Sequence, residues 1–400
     1  MQCILQGSEV TSTITSPHQS STYMSAPSIP NLNTLRRGGL RGRVRGRGGS
    51  GAGAGTTAAK GIQHDTIVQN TDHDAATSRL SAVDAGYLED PFAHLLTPTE
   101  GVSRRLPLMN RGTYARTTGI DRIVDAFLSA TGNSHKQIVS LGAGSDTRYF
   151  RLKQARRDVA ITYHEIDFEA NTRRKVNQLR SPAFSAAAKN LAGVDMHAHQ
   201  VEISDDGAML TSPEYIIHSR DLRQLPHQEA GLTGLDTSLP TLIISECCLI
   251  YLPPDDADAV LRYFSNLFPS GTPLAIVIYE PIRPHDSFGK TMVNNLMNRG
   301  IQLKTLEKYA GLAEQRARLE THGFKSGEAG TLGGSRSVDV DFIWREWVDG
   351  GEKERIDGLE WMDEVEEFVL LAKHYCISWG WRGYGEDGNW RSLPSTIPTT

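Results

Sequence analysis

Short apolar runs alternate with segments of helical length in the middle of the chain, and this alternation constrains the fold more than any other feature. The strand-like runs are 137–141, 161–166, 241–245 and 274–279, and the helical segments between them are 146–155, 169–180 and 254–267. Strands that alternate with helices form a mostly parallel sheet with helices on both faces. Such sheets bind ligands beyond the carboxyl ends of their strands, where the strand order reverses. The sequence therefore predicts an α/β fold with a functional site at these strand ends.

The first 75 residues differ in composition from the rest of the chain. They show no hydrophobic periodicity, and nine of the eighteen positions from Gly38 to Gly55 are glycine, interleaved with arginine. Such a segment buries too little apolar surface to offset its ordering entropy, so residues 1–75 are predicted to be a disordered tail. Four roles stay open for it: an RNA-contacting tail, an arginine-methylated tail, a cleaved transit peptide, or a solvated segment without catalytic consequence.

The remainder is predicted to be one globular domain, 76–385, followed by a flexible C-terminus, 386–400. Residues 1–60 hold seven of the 42 basic side chains and one of the 47 acidic ones, which leaves 35 − 46 = −11 for residues 61–400. An acidic body of this kind repels nucleic acid and anionic membranes. Nucleic-acid binding is therefore expected only through the tail.

The chain offers no sign of a membrane span, a disulfide framework or a metal site. No apolar run approaches the roughly 20 residues that cross a bilayer. The chain has four cysteines, of which Cys247 and Cys248 are adjacent and would point to opposite faces of a strand. No cluster of cysteine, histidine and carboxylate side chains has ligand spacing. We expect a cytoplasmic protein with reduced thiols and without a metal.

A glycine turn follows the first predicted strand directly. Gly142 and Gly144 end that strand, and Asp167, at the end of the next strand, lies 25 residues after Gly142. A carboxylate about 20 residues beyond such a turn grips ribose hydroxyls in nucleotide-binding folds; the alternative role of Asp167 is to cap the following helix. The third glycine of the dinucleotide fingerprint is replaced by Thr147, which favours S-adenosylmethionine over a nicotinamide cofactor because S-adenosylmethionine has no pyrophosphate.

Two more acids follow predicted strands or loops of the same sheet. Asp221 precedes a loop with a proline, where an acid can bind an adenine amino group, although a surface turn residue is an equal alternative. Glu246 ends the apolar run 242–245, and an unpaired buried carboxylate there costs several kcal/mol. Glu246 is therefore predicted to pair with the methionine α-ammonium, with a structural ion pair as the alternative.

Five blocks of the sequence resemble the leucine carboxyl methyltransferases: 86–92, 105–116, 141–147, 246–251 and 364–379. The resemblance covers roughly residues 76–385. It implies a class I methyltransferase (Rossmann-like) fold with an N-terminal helical cover and C-terminal helical additions. It also implies that S-adenosylmethionine is the cofactor and that the substrate is the C-terminal leucine of the type 2A protein phosphatase catalytic subunit, methylated by a monomeric enzyme.

The resemblance also assigns roles to individual residues. The implied cofactor contacts are Arg79, Arg116, Gly142, Asp167, Asp221, Leu222 and Glu246, with the two arginines on the methionine carboxylate and Leu222 acting through its backbone. Tyr251, five residues after Glu246, is assigned to the leucine carboxylate, with a core tyrosine as the alternative. Arg111 is assigned to the catalytic site, with the alternative that it ties the N-terminal segment to the sheet edge.

The chemistry of a carboxylate acceptor agrees with these residue types. An α-carboxyl group has a pKa near ~3.5 and is ionised at neutral pH, so no general base is required. The enzyme has only to desolvate the carboxylate and align it with the methyl donor. Two alternatives stay open: a small-molecule methyltransferase on the same fold, and an RNA-binding protein that acts through the Arg/Gly-rich tail.

Overall fold

The computed structural model describes residues 57–98, 103–130, 134–156, 159–189, 191, 200–228, 231–325, 333–384 and 393, with side chains from His64 onward. The helices are α1 (Thr57–Asp84), α2 (Ala93–Leu96), α3 (Pro107–Ala130), α4 (Arg148–Ala155), α5 (Glu169–Leu179), α6 (Pro182–Ala187), α7 (Pro254–Leu267), α8 (Ser287–Met297), α9 (Leu312–Thr321), α10 (Val340–Phe342), α11 (Gly350–Asp357) and α12 (Val365–Lys373). None of these helices combines the length and apolarity that a membrane span requires.

In the part of the chain that the structure describes, nine strands form a single sheet. They are β1 (Lys136–Leu141), β2 (Ile161–Asp167), β3 (Glu202–Ile203), β4 (Leu210–Thr211), β5 (Tyr215–Ser219), β6 (Thr241–Glu246), β7 (Leu274–Pro281), β8 (Gly334–Asp339) and β9 (Tyr375–Arg382). Their order is β3-β4-β5-β2-β1-β6-β7-β9-β8. The five central strands, from β5 to β7, are parallel, and the pairs at both edges are antiparallel. The predicted α/β class with a mostly parallel sheet is therefore confirmed.

The central strands are buried on both faces, and this is why they read as continuous apolar runs. Ile138 belongs to the core cluster on one face of β1, and Val139 belongs to the cluster on the other face. On β6, Leu242 belongs to the first of these clusters and Ile243 belongs to the second. Because successive side chains of a strand point to opposite faces, one strand supplies both cores.

The strand order reverses at β1, which lies between β2 and β6. In parallel sheets, this reversal opens a crevice at the carboxyl ends of the neighbouring strands. The bounds of the predicted strands and helices agree with the observed ones to within two residues, and α7 agrees at both ends. Helix α4 begins two residues later than predicted because the Asp146 side chain accepts a hydrogen bond from the Arg148 amide and forms the turn before the helix.

The predicted boundary at residue 76 falls inside α1, so the prediction of disorder for 57–75 is wrong. The polar side chains that make this segment look disordered form ion pairs with the body of the domain. Asp65 pairs with Arg223 at 2.7 Å, and Asp74 pairs with Arg299. The remaining parts of the predicted tail and C-terminus, residues 1–56 and 386–400 apart from Leu393, lie outside the described residues.

The turn between β1 and α4 depends on two glycines with positive φ, Gly142 at 61° and Gly144 at 47°. An L-residue with a side chain is strained in this region, whereas glycine is not. Gly142 also packs closely, since a Cβ at this position would lie 2.6 Å from the Cys248 sulfur. The glycine turn therefore needs both the backbone freedom and the small size of Gly142.

We predict that Gly142→Ala destabilises the protein by about 2–5 kcal/mol, because left-handed strain and overpacking add together. Gly207→Ala is the matched control, since Gly207 has a φ of 69° but nothing within 4 Å of its Cβ position. This control should lose only about 1–2 kcal/mol. Urea unfolding of both variants measures the difference, and equal losses would show that contact with Cys248 does not matter.

Candidate active site

A cavity of about 360 Å³ lies at the crevice where the strand order reverses, and α1 and α3 line it together with the strand ends. Eight of the nine residues predicted for the site line this cavity: Arg79, Arg116, Gly142, Asp167, Asp221, Leu222, Glu246 and Tyr251. Its volume lies within the range of about 300–1,000 Å³ that is typical of small-molecule sites. The strand ends thus bring together residues that are up to 172 positions apart in the sequence (251 − 79).

Asp167 ends β2 and is only 8% exposed. Its Oδ2 accepts a hydrogen bond from the Gly144 amide at 2.8 Å, and its Oδ1 accepts bonds from the Phe168 amide and the Asn171 side chain. Burial, reinforced by the nearby Asp72 carboxylate, raises the pKa of Asp167 to about 6. Asp167 therefore holds the glycine turn and the start of α5 while its carboxylate lines the cavity.

Asp221 and Leu222 follow β5 at the next strand end. The Asp221 side chain caps the 3₁₀ helix Leu222–His227 by accepting a hydrogen bond from the Arg223 amide at 2.9 Å. The same carboxylate pairs with the Arg223 guanidinium at 2.7 Å, and that guanidinium also reaches Asp65 on α1. The alternative reading of Asp221 as a turn residue is thus correct for its local contacts, and Asp221 still lines the cavity.

Glu246 ends β6 and forms an ion pair in the cavity wall with Arg116 from α3. The Arg116 Nε donates to the Glu246 Oε1 at 2.5 Å, and the guanidinium lies 4.5 Å from the centre of the Tyr279 ring. Although burial opposes ionisation of Glu246, Arg116 and Arg148 hold its pKa below the usual range. Both members of the pair are therefore charged at neutral pH, and neither side chain is more than 26% exposed.

Arg148, at the start of α4, connects three carboxylates and was not identified from the sequence. Its guanidinium contacts Asp121 at 2.9 Å, Asp146 at 2.6 Å and Glu246 at 3.3 Å, and its side chain is 1% exposed. These acids raise the pKa of Arg148 despite the opposing effect of burial. Arg148 thus holds the second oxygen of the Glu246 carboxylate, the one that Arg116 does not contact. The sequence around Arg148 does not distinguish it from an ordinary arginine on a helix surface.

Two predicted arginines have partners that differ from those expected. Arg79 lines the cavity but pairs with the fully buried Asp90 at 3.0 Å, and burial lowers the pKa of Arg79. Arg111 is not among the residues that line the cavity. It pairs with Asp357 at 2.5 Å and lies 4.8 Å from the centre of the Trp344 ring. These contacts give Arg111 a structural role, but they tie α3 to the C-terminal helical segments and not to the sheet edge that the alternative named.

Three aromatic side chains line the cavity on the side of Arg116, and two of them were missed. The rings of Tyr279 and Tyr375 stack with centroids 5.5 Å apart, and Tyr251 from the 3₁₀ helix Leu249–Tyr251 lines the same cavity. Burial raises the pKa of all three hydroxyl groups well above the ordinary value. They are therefore neutral hydrogen-bond donors at neutral pH.

The cavity has no arrangement that indicates a metal site. Among the residues that the structure describes, no three His, Cys, Asp or Glu side chains are grouped as metal ligands. The side chains that converge are instead an arginine–glutamate pair, two further acids at strand ends and aromatic rings. A site of this composition recognises an organic ligand with charged and polar groups.

The sheet order, the glycine turn after β1 and the acids at three strand ends define a class I methyltransferase. A family model described as leucine carboxyl methyltransferase matches residues 67–265. Leucine carboxyl methyltransferase 1 of Aspergillus fumigatus is 51% identical over 393 residues, which cover 91% of this chain and 96% of that protein. The Schizosaccharomyces pombe protein of the same name is 39% identical over 314 residues, 78% of this chain and 93% of that protein. The chain belongs to the leucine carboxyl methyltransferase family.

Solved structures give a more distant comparison. Magnesium protoporphyrin IX methyltransferase from Synechocystis PCC 6803, solved with bound SAH, is 14% identical, with a TM-score of 0.40 over 80% of this chain and 99% of that chain. The assignment to the family rests on the sequence relatives, and the fold class rests on the strand order itself.

We predict that Arg148→Lys lowers the free energy of unfolding by about 2–4 kcal/mol, because a lysine ammonium cannot contact three carboxylates from one position. Arg151→Lys is the matched control on the same helix. Arg151 is 18% exposed and has one close carboxylate, Asp121 at 2.6 Å, with Asp90 at 3.8 Å, so this variant should lose less than Arg148→Lys does. Urea unfolding compares the two variants, and a larger loss for Arg151→Lys would contradict the role of Arg148.

Proposed function

We propose that the cavity binds S-adenosylmethionine and that the enzyme transfers its methyl group to the C-terminal leucine α-carboxylate of a protein phosphatase catalytic subunit. The observation that carries this proposal is the Arg116–Glu246 ion pair, at 2.5 Å, in the same cavity as Asp167. An amino-acid group carries one positive and one negative charge. Glu246 and Arg116 offer the opposite charges side by side.

The remaining residues at the strand ends fit the rest of the cofactor. Asp167 offers carboxylate oxygens to ribose hydroxyl groups, and charge-assisted hydrogen bonds of this type are the strong ones. Asp221 offers an acceptor for the adenine amino group, and Leu222 beside it, which also lines the cavity, offers its backbone. When bound, S-adenosylmethionine supplies a methyl group on a sulfonium, which makes that methyl group an electrophile.

The part of the cavity nearest α12 suits an apolar acceptor. Met109, Val340, Phe368, Leu371 and Ala372 line it, and these side chains come from α3, α10 and α12. A terminal leucine side chain is of the same apolar character, and its burial removes apolar surface from water. The neutral hydroxyl of Tyr251 is a hydrogen-bond donor for the acceptor carboxylate, which needs to be oriented.

Among the described side chains around Arg116, the carboxylate of Glu246 is held in ion pairs with Arg116 and Arg148 and is not free to act as a general base. The hydroxyls of Tyr251, Tyr279 and Tyr375 stay protonated at neutral pH because burial raises their pKa values. Among the described lining residues there is one histidine, His64, and it lies beside Asp65 on α1. An acceptor that is already ionised fits this set of residues, whereas an alcohol or amine acceptor requires deprotonation. A carboxylate is therefore the acceptor that the site supports best.

The partner assignment rests on the family. The relatives are named leucine carboxyl methyltransferase 1, and the chain covers 96% of the length of the Aspergillus fumigatus protein. The phosphatase catalytic subunit is the acceptor that the sequence resemblance implies. An ionised C-terminal leucine on an accessible tail satisfies both the charged and the apolar features of the cavity.

We predict that the enzyme transfers radiolabelled methyl from S-adenosylmethionine to a type 2A phosphatase catalytic subunit, and that deleting the terminal leucine of this subunit abolishes transfer. A methyl ester is base-labile, so mild alkali should release the label as methanol. At saturating S-adenosylmethionine, activity should vary little between about pH 6 and pH 8, because an α-carboxyl with a pKa near ~3.5 is ionised throughout.

Three outcomes of this assay would separate the alternatives. Alkali-stable label on the phosphatase would contradict ester formation. Equal transfer to the truncated subunit would contradict the terminal leucine as the acceptor. Transfer to small carboxylic acids or hydroxyl compounds, with none to the phosphatase, would favour a small-molecule methyltransferase.

A further inference from the structure

An aspartate on α1 reaches into the glycine turn of the cofactor site. The Asp72 Oδ1 accepts hydrogen bonds from the Ser145 amide at 2.7 Å and from the Ser145 hydroxyl at 2.8 Å. A Cβ placed on Gly144 would overlap the Asp72 carboxylate. Gly144 must therefore lack a side chain, because the carboxylate occupies the space beside it.

Both carboxylate oxygens of Asp72 have partners. The Oδ2 pairs with the Arg174 guanidinium from α5, and the Asp72 side chain is only 12% exposed. One carboxylate thus connects the N-terminal helix, the glycine turn and α5. Ion pairs between fully exposed side chains contribute little to stability. A largely buried carboxylate that accepts from three donors holds its partners in a defined geometry.

Two carboxylates hold successive amides of the turn. The Gly144 amide donates to Asp167 and the Ser145 amide donates to Asp72. Unpaired buried amides are costly, so each carboxylate stabilises the turn in its observed conformation. Asp72 reaches the turn from α1. Because this one side chain contacts the Ser145 amide, a shift of α1 would change the conformation of the turn.

We propose that Asp72 is a positioning residue of the cofactor site, which fixes the glycine turn and couples the seating of α1 to the charge of Asp167. The proposal rests on the proposed binding of S-adenosylmethionine at this turn. Asp72 acts through the Ser145 amide and through its proximity to Asp167. It therefore affects cofactor affinity more than the rate of methyl transfer.

The groups that surround Asp167 determine how the coupling can be observed. Asp72 from α1 is the charged group that raises the pKa of Asp167 in addition to burial, while Asn171 from α5 and the Gly144 and Phe168 amides donate hydrogen bonds that lower it. Cys248, which follows β6, also lies near Asp167, and burial keeps its thiol protonated. Arg174 reaches this region through its ion pair with Asp72.

Removing the charge of Asp72 should therefore change the pH dependence of cofactor binding. In the wild type, Asp167 takes up a proton below about pH 6, so affinity should fall as the pH is lowered through this value. Asp72→Asn keeps the shape of the side chain but removes the repulsion, so the fall should move to lower pH. A purely structural role for Asp72 would leave the position of this fall unchanged.

The experiment is calorimetric titration of the full-length protein with S-adenosylhomocysteine between pH 5 and pH 8, together with steady-state kinetics. Asp72→Ala should weaken binding about tenfold or more and raise the KM for S-adenosylmethionine, with kcat within about twofold. Asp72→Asn should show the shifted pH dependence. Ser145→Ala, which removes only the hydroxyl donor, should weaken binding about two- to fivefold.

Asp84→Asn is the matched control, because Asp84 is on the same helix, is about half exposed and pairs with His94 at 2.9 Å outside the cavity. It should bind as the wild type does. Unchanged affinity and pH dependence in both Asp72 variants would overturn the proposal. If Asp72→Ala fails to fold, the affinities of Asp72→Asn and Ser145→Ala and the pH dependence of Asp72→Asn still test the proposal. Failure of the wild type to bind S-adenosylhomocysteine would instead overturn the proposed function.

Discussion

The carboxylate of Glu246 lies between two arginines, and the arrangement of the whole site depends on it. Arg116 comes from α3, Arg148 comes from α4, and Glu246 ends a central strand. An unpaired carboxylate at this depth would cost several kcal/mol, so Glu246 can be buried only where α3 and α4 bring their arginines to the end of the strand. The ion pairs thus join the helices that cover the sheet to the edge where the cavity opens.

The cover over the cavity is attached differently from the core beneath it. The sheet is held by apolar clusters on both faces. Helix α1 is attached above the cavity through aspartates that pair with arginines on separate loops and helices, such as Asp65 with Arg223 and Asp74 with Arg299. Partly exposed pairs of this kind contribute only about 0–1 kcal/mol each. Two stronger contacts also hold α1: Ala82 belongs to the apolar core and Asp72 is largely buried. The weaker pairs above the cavity can open separately, which is compatible with the exchange of a ligand.

The sequence predicted the parts of the fold that are set by local patterns. Four of the five central strands and the helices between them were found because a continuous apolar run of strand length is a local property, whereas β5 (Tyr215–Ser219) was missed. Gly142, Asp167 and Glu246 were found because each follows a strand whose end could be located. The ribose role of Asp167 stays a prediction. Its carboxylate lines the cavity and contacts the start of α5 through the Phe168 amide and the Asn171 side chain, although Phe168 is the N-cap residue.

The features that were missed depend on partners far away in the sequence. The segment 57–75 is polar enough to resemble a disordered tail, and its partners, such as Arg174 and Arg299, are over a hundred residues away. Tyr375 stacks on Tyr279 because β9 pairs antiparallel with β7, a neighbour that periodicity does not reveal. Arg111 belongs to a block that resembles the family, but resemblance does not separate residues that bind ligands from residues that hold helices together.

In the proposed function, Arg116 and Glu246 together recognise the amino-acid group of the cofactor. The most direct measurement compares the affinities of S-adenosylhomocysteine and 5′-methylthioadenosine, which lacks that group, for the wild type and for Glu246→Gln. Two charge-assisted interactions predict that the wild type prefers S-adenosylhomocysteine by about 100-fold or more, and that Glu246→Gln loses most of this preference. Equal affinity of the wild type for the two ligands would contradict the account.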